Sequence, residues 1–328
     1  MNRVRRWLKR ITWSGFLLSL GTLTAVGWFG SGHLVEPKRR ALQDYHLERL
    51  GDPTRFGLQI TAYTGPARTP CLLVKPAPGS REWRGREVRR ALRQAPPWGE
   101  VLGTVVMLNG HGGRKEDHLP SCERFTAVGF RCLVPDLPGH GDHPAPHATF
   151  GKEECELVEA LVDDLHGRFS LKPQPLFLYG VSQGGAIAIQ TAARSPERWS
   201  GVISAAAFAS LERTVERSAA DLAPKCAGLA PVAAFSVGCG SWLRAGYAPW
   251  QIRPAKAAEN LTMPVMIIHG ENDRFIPFAD AEEIFSSIPA ETKILRPVAD
   301  AGHGRVLATD AEHLYPEMCR FLLNCLDP

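Results

Sequence analysis

A serine held between glycines at the junction of an apolar strand and a helix is the feature that most limits how this chain can fold. Pro175-Leu176-Phe177-Leu178-Tyr179 runs straight into Gly180-Val181-Ser182-Gln183-Gly184-Gly185, and the apolar run Ala186-Ile187-Ala188-Ile189 follows. Passing from strand to helix in so few residues needs backbone that bends with no side chain in the way, which the glycines around Ser182 supply. Such a turn leaves the serine hydroxyl exposed above the strand ends. The helix behind it aims its first N–H groups and the positive end of its dipole at the same place, where developing negative charge is favoured. Ser182 is thus the candidate nucleophile, and the backbone N–H of Gln183 the first candidate donor to an oxyanion. The bland alternative is a glycine-rich loop with an incidental serine, for which the flanking strand and helix would have no purpose.

A serine hydroxyl is a poor nucleophile until a base takes its proton, so a histidine and a group to orient it must come from elsewhere in the chain. Pro264 to His269 reads as a buried strand, and Gly270-Glu271-Asn272-Asp273 as the loop that closes it. That placement makes Asp273 the candidate acid, ahead of Glu271 beside the strand end and Asp280 in the next helix. Val298 to Gly304 follows the last strand and precedes the last helix, so a loop there can carry His303 over Ser182. His303 is the candidate base. His313 reads as a surface residue of the final helix, and His269 as a structural side chain bonded to loop backbone. In these roles Asp273 fixes the tautomer of His303 and stabilises its imidazolium.

The surrounding pattern predicts a parallel sheet covered by helices on both faces. Residues 104–108, 130–135, 175–179, 201–205, 265–269 and 293–297 are short apolar runs of the kind found in buried strands. Helical stretches at 151–169, 183–193, 278–287 and 311–326 fall between or after them. Residues 56–64 and 71–75 read as two preceding strands. An Arg-rich excursion between Pro76 and Gly99, which includes Arg81, Arg84, Arg86, Arg89, Arg90 and Arg93, reads as a solvated helix packing through Trp83, Val88 and Leu92 rather than as an anion-binding patch. Residues 207–262, rich in Ala, Gly and Pro, read as a small helical cap near the strand ends. The stretch Asp136 to His143, with His147 beyond, invites a metal-site reading; Pro144 and Pro146 argue against a shared helix face for the histidines, and a tight loop is expected instead. No metal and no cofactor is called for.

The N-terminus carries a second signal. Arg3, Arg5, Arg6, Lys9 and Arg10 precede Ile11 to Phe29, a run of 19 residues without a charge, and Lys38, Arg39 and Arg40 follow it. At 1.5 Å per residue that run is about 28 Å long as a helix, enough to cross the hydrocarbon of a bilayer. The excess of positive charge ahead of it sets the N-terminus in the cytoplasm and the rest of the chain outside, periplasmic or extracellular. A retained anchor over residues 1–32 is the preferred reading; a cleaved signal peptide with a secreted product, or a buried helix, are the alternatives. Residues 33–55 then form a polar tether and first helix, and 56–328 the main domain. Of the formal charge of +4, the first ten residues supply five positives, leaving −1 for residues 11–328. A nearly neutral body gives no electrostatic case for nucleic acid. Eight cysteines are compatible with export and pairing, for example Cys226 with Cys239, or with free cysteines packed as small apolar residues.

Taken together these segments resemble the α/β-hydrolase superfamily over residues 56–326. Gly180-Val181-Ser182-Gln183-Gly184-Gly185 is similar to the nucleophile motif of acetyl xylan esterases and related bacterial esterases. The arrangement behind an N-terminal anchor looks like membrane-anchored hydrolases of the prolyl-oligopeptidase-like group. Both resemblances imply the chain order Ser182, Asp273, His303, and a second oxyanion donor from the loop Asn109-Gly110-His111-Gly112-Gly113-Arg114. If the His-Gly pair usual there aligns with Asn109-Gly110, the donor is the backbone of His111; if it aligns with His111-Gly112, it is Gly113. The expected activity is hydrolysis of a small or polymer-borne carboxylic ester through an acyl-enzyme. A serine peptidase of the prolyl-oligopeptidase-like type is the alternative within enzymes, and a non-catalytic binding protein on a hydrolase fold the alternative outside them.

Overall fold

The computed structural model describes residues 2–92, 95–171 and 174–326; Arg93, counted above in the Arg-rich excursion, lies outside them, as do the side chains of residues 2–12. Eight strands form one sheet: β1 (Leu58–Thr64), β2 (Pro70–Pro76), β3 (Gly103–Leu108), β4 (Phe130–Pro135), β5 (Leu176–Val181), β6 (Gly201–Ala205), β7 (Val265–Gly270) and β8 (Lys293–Val298). Their spatial order is β1-β2-β4-β3-β5-β6-β7-β8. β1 to β2 and β2 to β4 are antiparallel, and every other neighbouring pair is parallel. The chain order reverses around β3 and β5, so the carboxyl ends of the central strands open a crevice there, the place where open α/β sheets carry ligands.

The helices are α1 (Asn2–Val35), α2 (Asp44–Gly51), α3 (Trp83–Ala91), α4 (Leu119–Thr126), α5 (Glu154–Phe169), α6 (Gln183–Arg194), α7 (Leu211–Leu222), α8 (Ala230–Ala245), α9 (Pro254–Ala257), α10 (Phe278–Ser287) and α11 (Ala311–Asn324). Alternation along the strands divides the core into two layers. Val106, Leu108, Leu178 and Ile267 meet Leu161 of α5, Ile187 of α6 and Ile284 of α10 on one face. On the other, Val105, Met107, Tyr179 and Ile268 meet Val88 of α3, Phe125 of α4 and Met318 of α11. This two-layer burial explains why the central strands read as continuous apolar runs: neither face reaches water.

Several boundaries shift. The tether expected from residue 33 begins inside a helix, because α1 continues to Val35, whose side chain is fully buried and whose carbonyl accepts from Ala148 N at 2.8 Å. Phe56, expected to open the first strand, instead closes a 3-10 turn over Pro53–Phe56, and β1 begins at Leu58. In α3, Val88 and Leu92 are buried as expected, while Trp83 stays half exposed, with the guanidinium of Arg84 over its ring. All eight cysteines are free, so Cys226 and Cys239 do not staple the segment between them; both are exposed and the others are wholly or partly buried. Residues 207–262 form α7, α8, α9 and intervening 3-10 turns between β6 and β7, a helical insertion tied to the body by Leu211 N to Ile252 O and by Arg217 to Asp280, at 3.1 and 2.9 Å.

Among the buried polar groups, His118 sits edge-on to Tyr179 in the second core layer, and burial pushes its pKa down to about 4. Near pH 6.5 an unfolded chain begins to take up a proton that this ring refuses, so the contribution of His118 is full above about pH 6.5 and is lost as pH falls toward about 4. Replacing it by phenylalanine should therefore flatten the pH dependence of stability in that window by up to one proton, about 1.4 kcal/mol per pH unit. Urea denaturation of both proteins at a series of pH values between these limits checks this; parallel curves would contradict it.

Candidate active site

Ser182 stands between β5 and α6 with φ 55° and ψ −116°, a strained backbone that L residues rarely adopt. Its N–H donates to Ala205 O of β6 at 2.7 Å, and its carbonyl accepts from Ala186 N at 3.0 Å, so the strain is held from both sides. The glycines make the approach feasible: a Cβ on Gly184 would lie 2.0 Å from Leu108 O, and one on Gly180 2.1 Å from Gly184 O. Any side chain at either place would push α6 away from the end of β3.

The three residues expected to work together do meet. His303, in a 3-10 turn after β8, places Nε2 2.9 Å from Ser182 Oγ and Nδ1 2.7 Å from Asp273 Oδ2. The other oxygen of Asp273 accepts from Phe275 N at 3.0 Å and Ile276 N at 2.9 Å. Burial pushes the Asp273 pKa up, but hydrogen bonds from His269, from His303 and from the Ile276 backbone outweigh it, and the carboxyl is held well below the usual carboxylate range. Asp273 thus stays a carboxylate, which requires Nδ1 of His303 to be the protonated nitrogen and leaves Nε2 free to accept from the serine. His269 is fully buried, with Nε2 2.8 Å from Ile276 O, which matches its reading as a structural residue that shapes the Asp273 loop. Phe275 stacks edge-on against His303 at 5.1 Å and limits the tilt of the imidazole.

The two readings of the second donor separate here. Gly113 N donates to Gly110 O at 2.9 Å, closing a turn inside its own loop, so the N–H of Gly113 is already used. Gly110, the residue before His111, lies against the serine, since a Cβ there would be 3.5 Å from Ser182 Cβ. Gln183 opens α6, where a backbone N–H has no intrahelical carbonyl to bond. The His111 ring is engaged elsewhere: Nε2 lies 2.9 Å from Leu34 O at the foot of α1, and the ring stacks on Phe150. Asn109 is buried and turns its Nδ2 to Gly110 O, 2.9 Å away, bracing the loop from within. Sequence reasoning did not reach the bond between the His111 ring and α1, because nothing in the local pattern links residues 77 positions apart.

The loop once weighed as a metal cluster is held by protein groups. Asp136 accepts from Lys115 Nζ at 2.7 Å and from the backbone N of Lys115 and Asp142; His140 Nδ1 lies 2.8 Å from Pro138 O; His147 meets Glu36. Among the described residues no group of His, Cys, Asp and Glu is arranged to hold a metal ion. The fixed Asp136 turn positions Lys115 and Arg114 beneath the His111 loop.

Comparisons with known proteins follow the same lines. Residues 99–237 match the family described as "Serine aminopeptidase, S33". An uncharacterised protein, YfhR of Escherichia coli K12, is 24% identical over 234 residues, 71% of this chain and 74% of that one. An uncharacterised Bacillus subtilis protein, YqkD, is 22% identical over 227 residues, covering 69% and 72%. Among solved structures, the Pyrococcus furiosus esterase Pf2001 superposes with a TM-score of 0.62 at 16% identity, covering 89% of this chain and 98% of that one. A Paleococcus ferrophilus monoacylglycerol lipase does so with a TM-score of 0.51 at 18% identity, covering 69% and 96%. With this strand order and this turn, the chain has the α/β-hydrolase fold.

Asp280, one of the two other carboxylates weighed as the acid, is engaged by different partners. It is buried and accepts from Ala209 N and Arg217, each at 2.9 Å. Asp280→Ala should cost about 1–3 kcal/mol of stability, because the buried Ala209 N–H loses its acceptor, while Ser182 keeps its reactivity toward a fluorophosphonate. A stable but unreactive variant would move the role of acid from Asp273 to Asp280.

Proposed function

We propose that the protein is a serine hydrolase of carboxylic esters. Ser182 Oγ attacks the acyl carbon as His303 Nε2 takes its proton; the carbonyl oxygen becomes an oxyanion facing the backbone N–H groups of Gln183 and His111. The imidazolium, stabilised by the Asp273 carboxylate, returns the proton to the departing alkoxide, and water repeats the sequence on the acyl-enzyme. Each backbone donor of this kind is worth about 3–4 kcal/mol of barrier. The observation that carries the reading is the hydrogen-bonded line from Ser182 through His303 to Asp273, with the acid held as a carboxylate. No step asks for a metal or cofactor.

The matched family description favours a second reading, in which the same atoms open an aminoacyl amide. A non-catalytic role is disfavoured by a complete array that includes a strained nucleophile. For its setting, we propose that the domain works outside the cytoplasm, anchored by residues 11–29 rather than released by cleavage. The support is that α1 packs on the folded body ahead of residue 32: Gly27 and Gly30 lie against Ser236 and Val237 of α8, and Arg244 lies over the Trp28 ring.

Purified full-length protein should react with a fluorophosphonate at Ser182 and hydrolyse short-chain esters faster than aminoacyl amides. Ser182→Ala should abolish labelling and lower kcat by roughly 10^6-fold, and Asp273→Asn by roughly 10^4-fold with labelling slowed rather than lost. Faster turnover of amides would select the peptidase reading; ester turnover that survives Ser182→Ala would overturn both.

A further inference from the structure

α8 is more apolar than the fold requires. Together with the 3-10 turn Pro224–Leu229 before it, α8 makes a 22-residue stretch with the length and composition of a membrane-crossing segment, yet only 33% of its most apolar window is buried within the chain. Val232, Phe235, Cys239, Trp242 and Leu243 recur at helical spacing, and all five are exposed. They form one stripe; Trp250 stacks on one face of the Phe235 ring, and all five side chains remain exposed.

That stripe lies beside α1. A Cβ on Gly27 would stand 2.6 Å from Ser236 O, one on Gly240 2.3 Å from Gly27 O, and one on Gly30 2.6 Å from a Val237 methyl. Further along both helices, a Cβ on Gly240 would also stand 2.5 Å from Ser31 Oγ and one on Gly32 3.7 Å from Arg244, which bonds Glu36, just past the end of α1, at 2.7 Å and reaches back over the Trp28 ring. The contacts advance together, so the helices run in the same direction, and the small residues bring their backbones together as in helix pairs packed within lipid. Val232 and Phe235 are therefore level with the uncharged run Ile11 to Phe29, whose own Leu17, Leu18, Trp28 and Phe29 are exposed. Crossing is ruled out for α8 by its neighbour. α7 carries Glu212, Arg213, Glu216, Arg217 and Asp221, and is pinned to the soluble body by Arg213 to Glu283 and Arg217 to Asp280; those charges are excluded from hydrocarbon. Running beside α1 in the same direction, α8 can follow it into the apolar layer only through its exposed stripe, while the charges of α7, with Lys38 and Arg244, stay at headgroup level.

We propose that α8 and the C-terminal part of α1 form one membrane-seated surface, with the Val232 to Leu243 stripe dipping into the bilayer that α1 enters. This rests on the anchor reading above. α1 brings the bilayer to this face whenever its uncharged run is inserted, which makes lipid the occupant in preference to a second copy of the chain.

The test uses the full chain in vesicles of phosphatidylethanolamine and phosphatidylglycerol, with Cys226→Ser and a polarity-sensitive fluorophore on Cys239. A control carries the fluorophore at Ser286→Cys on α10, with Cys226→Ser and Cys239→Ser. Co-flotation with vesicles is scored separately from probe depth. The proposal expects co-flotation, severalfold stronger quenching at Cys239 than at the control by lipids spin-labelled on the acyl chain, and the reverse order with aqueous iodide. Adding Phe235→Ser and Trp242→Ser should bring the Cys239 signal toward the control without changing turnover of a soluble ester. Co-flotation with a Cys239 probe as water-accessible as the control would overturn the surface and leave the anchor standing. Cross-linking of Cys239 between two chains without lipid quenching would give the face to a second copy instead. Absence of co-flotation would overturn the anchor and the surface together.

Discussion

The approach of α6 to the end of β3 is the contact from which the rest of the site follows. Gly184 allows Leu108 O to come closer than any side chain would permit, and that proximity forces Ser182 into its positive-φ turn. The strain is the cost of lifting the hydroxyl clear of the sheet while the first N–H groups of α6 remain beside it. Bonds to β6 and within α6 hold the turn in place. The last residues of β5 and β7 and the loop after β8 need only end at the same edge of the sheet for acid, base and nucleophile to meet. Parallel strands in register bring them there.

The site has a second support outside the sheet. α1 is docked along α8, and its foot threads past the oxyanion loop, where Leu34 O meets the His111 ring and Arg39 binds the carbonyls of Gly141, His143 and Ala145. A segment that composition marks as an anchor thus also braces the loop expected to bind negative charge. Removing α1 would leave the core without Val35 and the His111 ring without Leu34 O.

Much of this was legible in the chain alone, and the reasons are physical. Buried parallel strands must be apolar on both faces, so β4 and β6 were placed to the residue and the other central strands to within two. Ser182, Asp273 and His303 were found because each occupies a strand end, a position that pattern reveals. What escaped was burial that does not look apolar. α4 hides Ser121, Glu123, Arg124 and Thr126 besides its short apolar stripe of Leu119, Cys122 and Phe125, with Glu123 paired to Arg49 and Arg124 over the Tyr315 ring, so its polar side does not mark a water-facing surface. The turn bond from Gly113 N to Gly110 O, which bears on the two candidate donors of that loop, is also not predicted by spacing. The open face of α8 was likewise hidden, since an apolar helix in a cap reads as core until its neighbours are known.

The central claim is that Ser182 carries the acyl group between two half-reactions. Rapid mixing with an activated short-chain ester, acid quenching and mass analysis of the peptide bearing Ser182 test it directly. The account predicts a pre-steady-state burst of alcohol matched by acyl mass on that peptide. Steady turnover with neither burst nor adduct, in an enzyme whose deacylation has been slowed by lowering the pH, would contradict it.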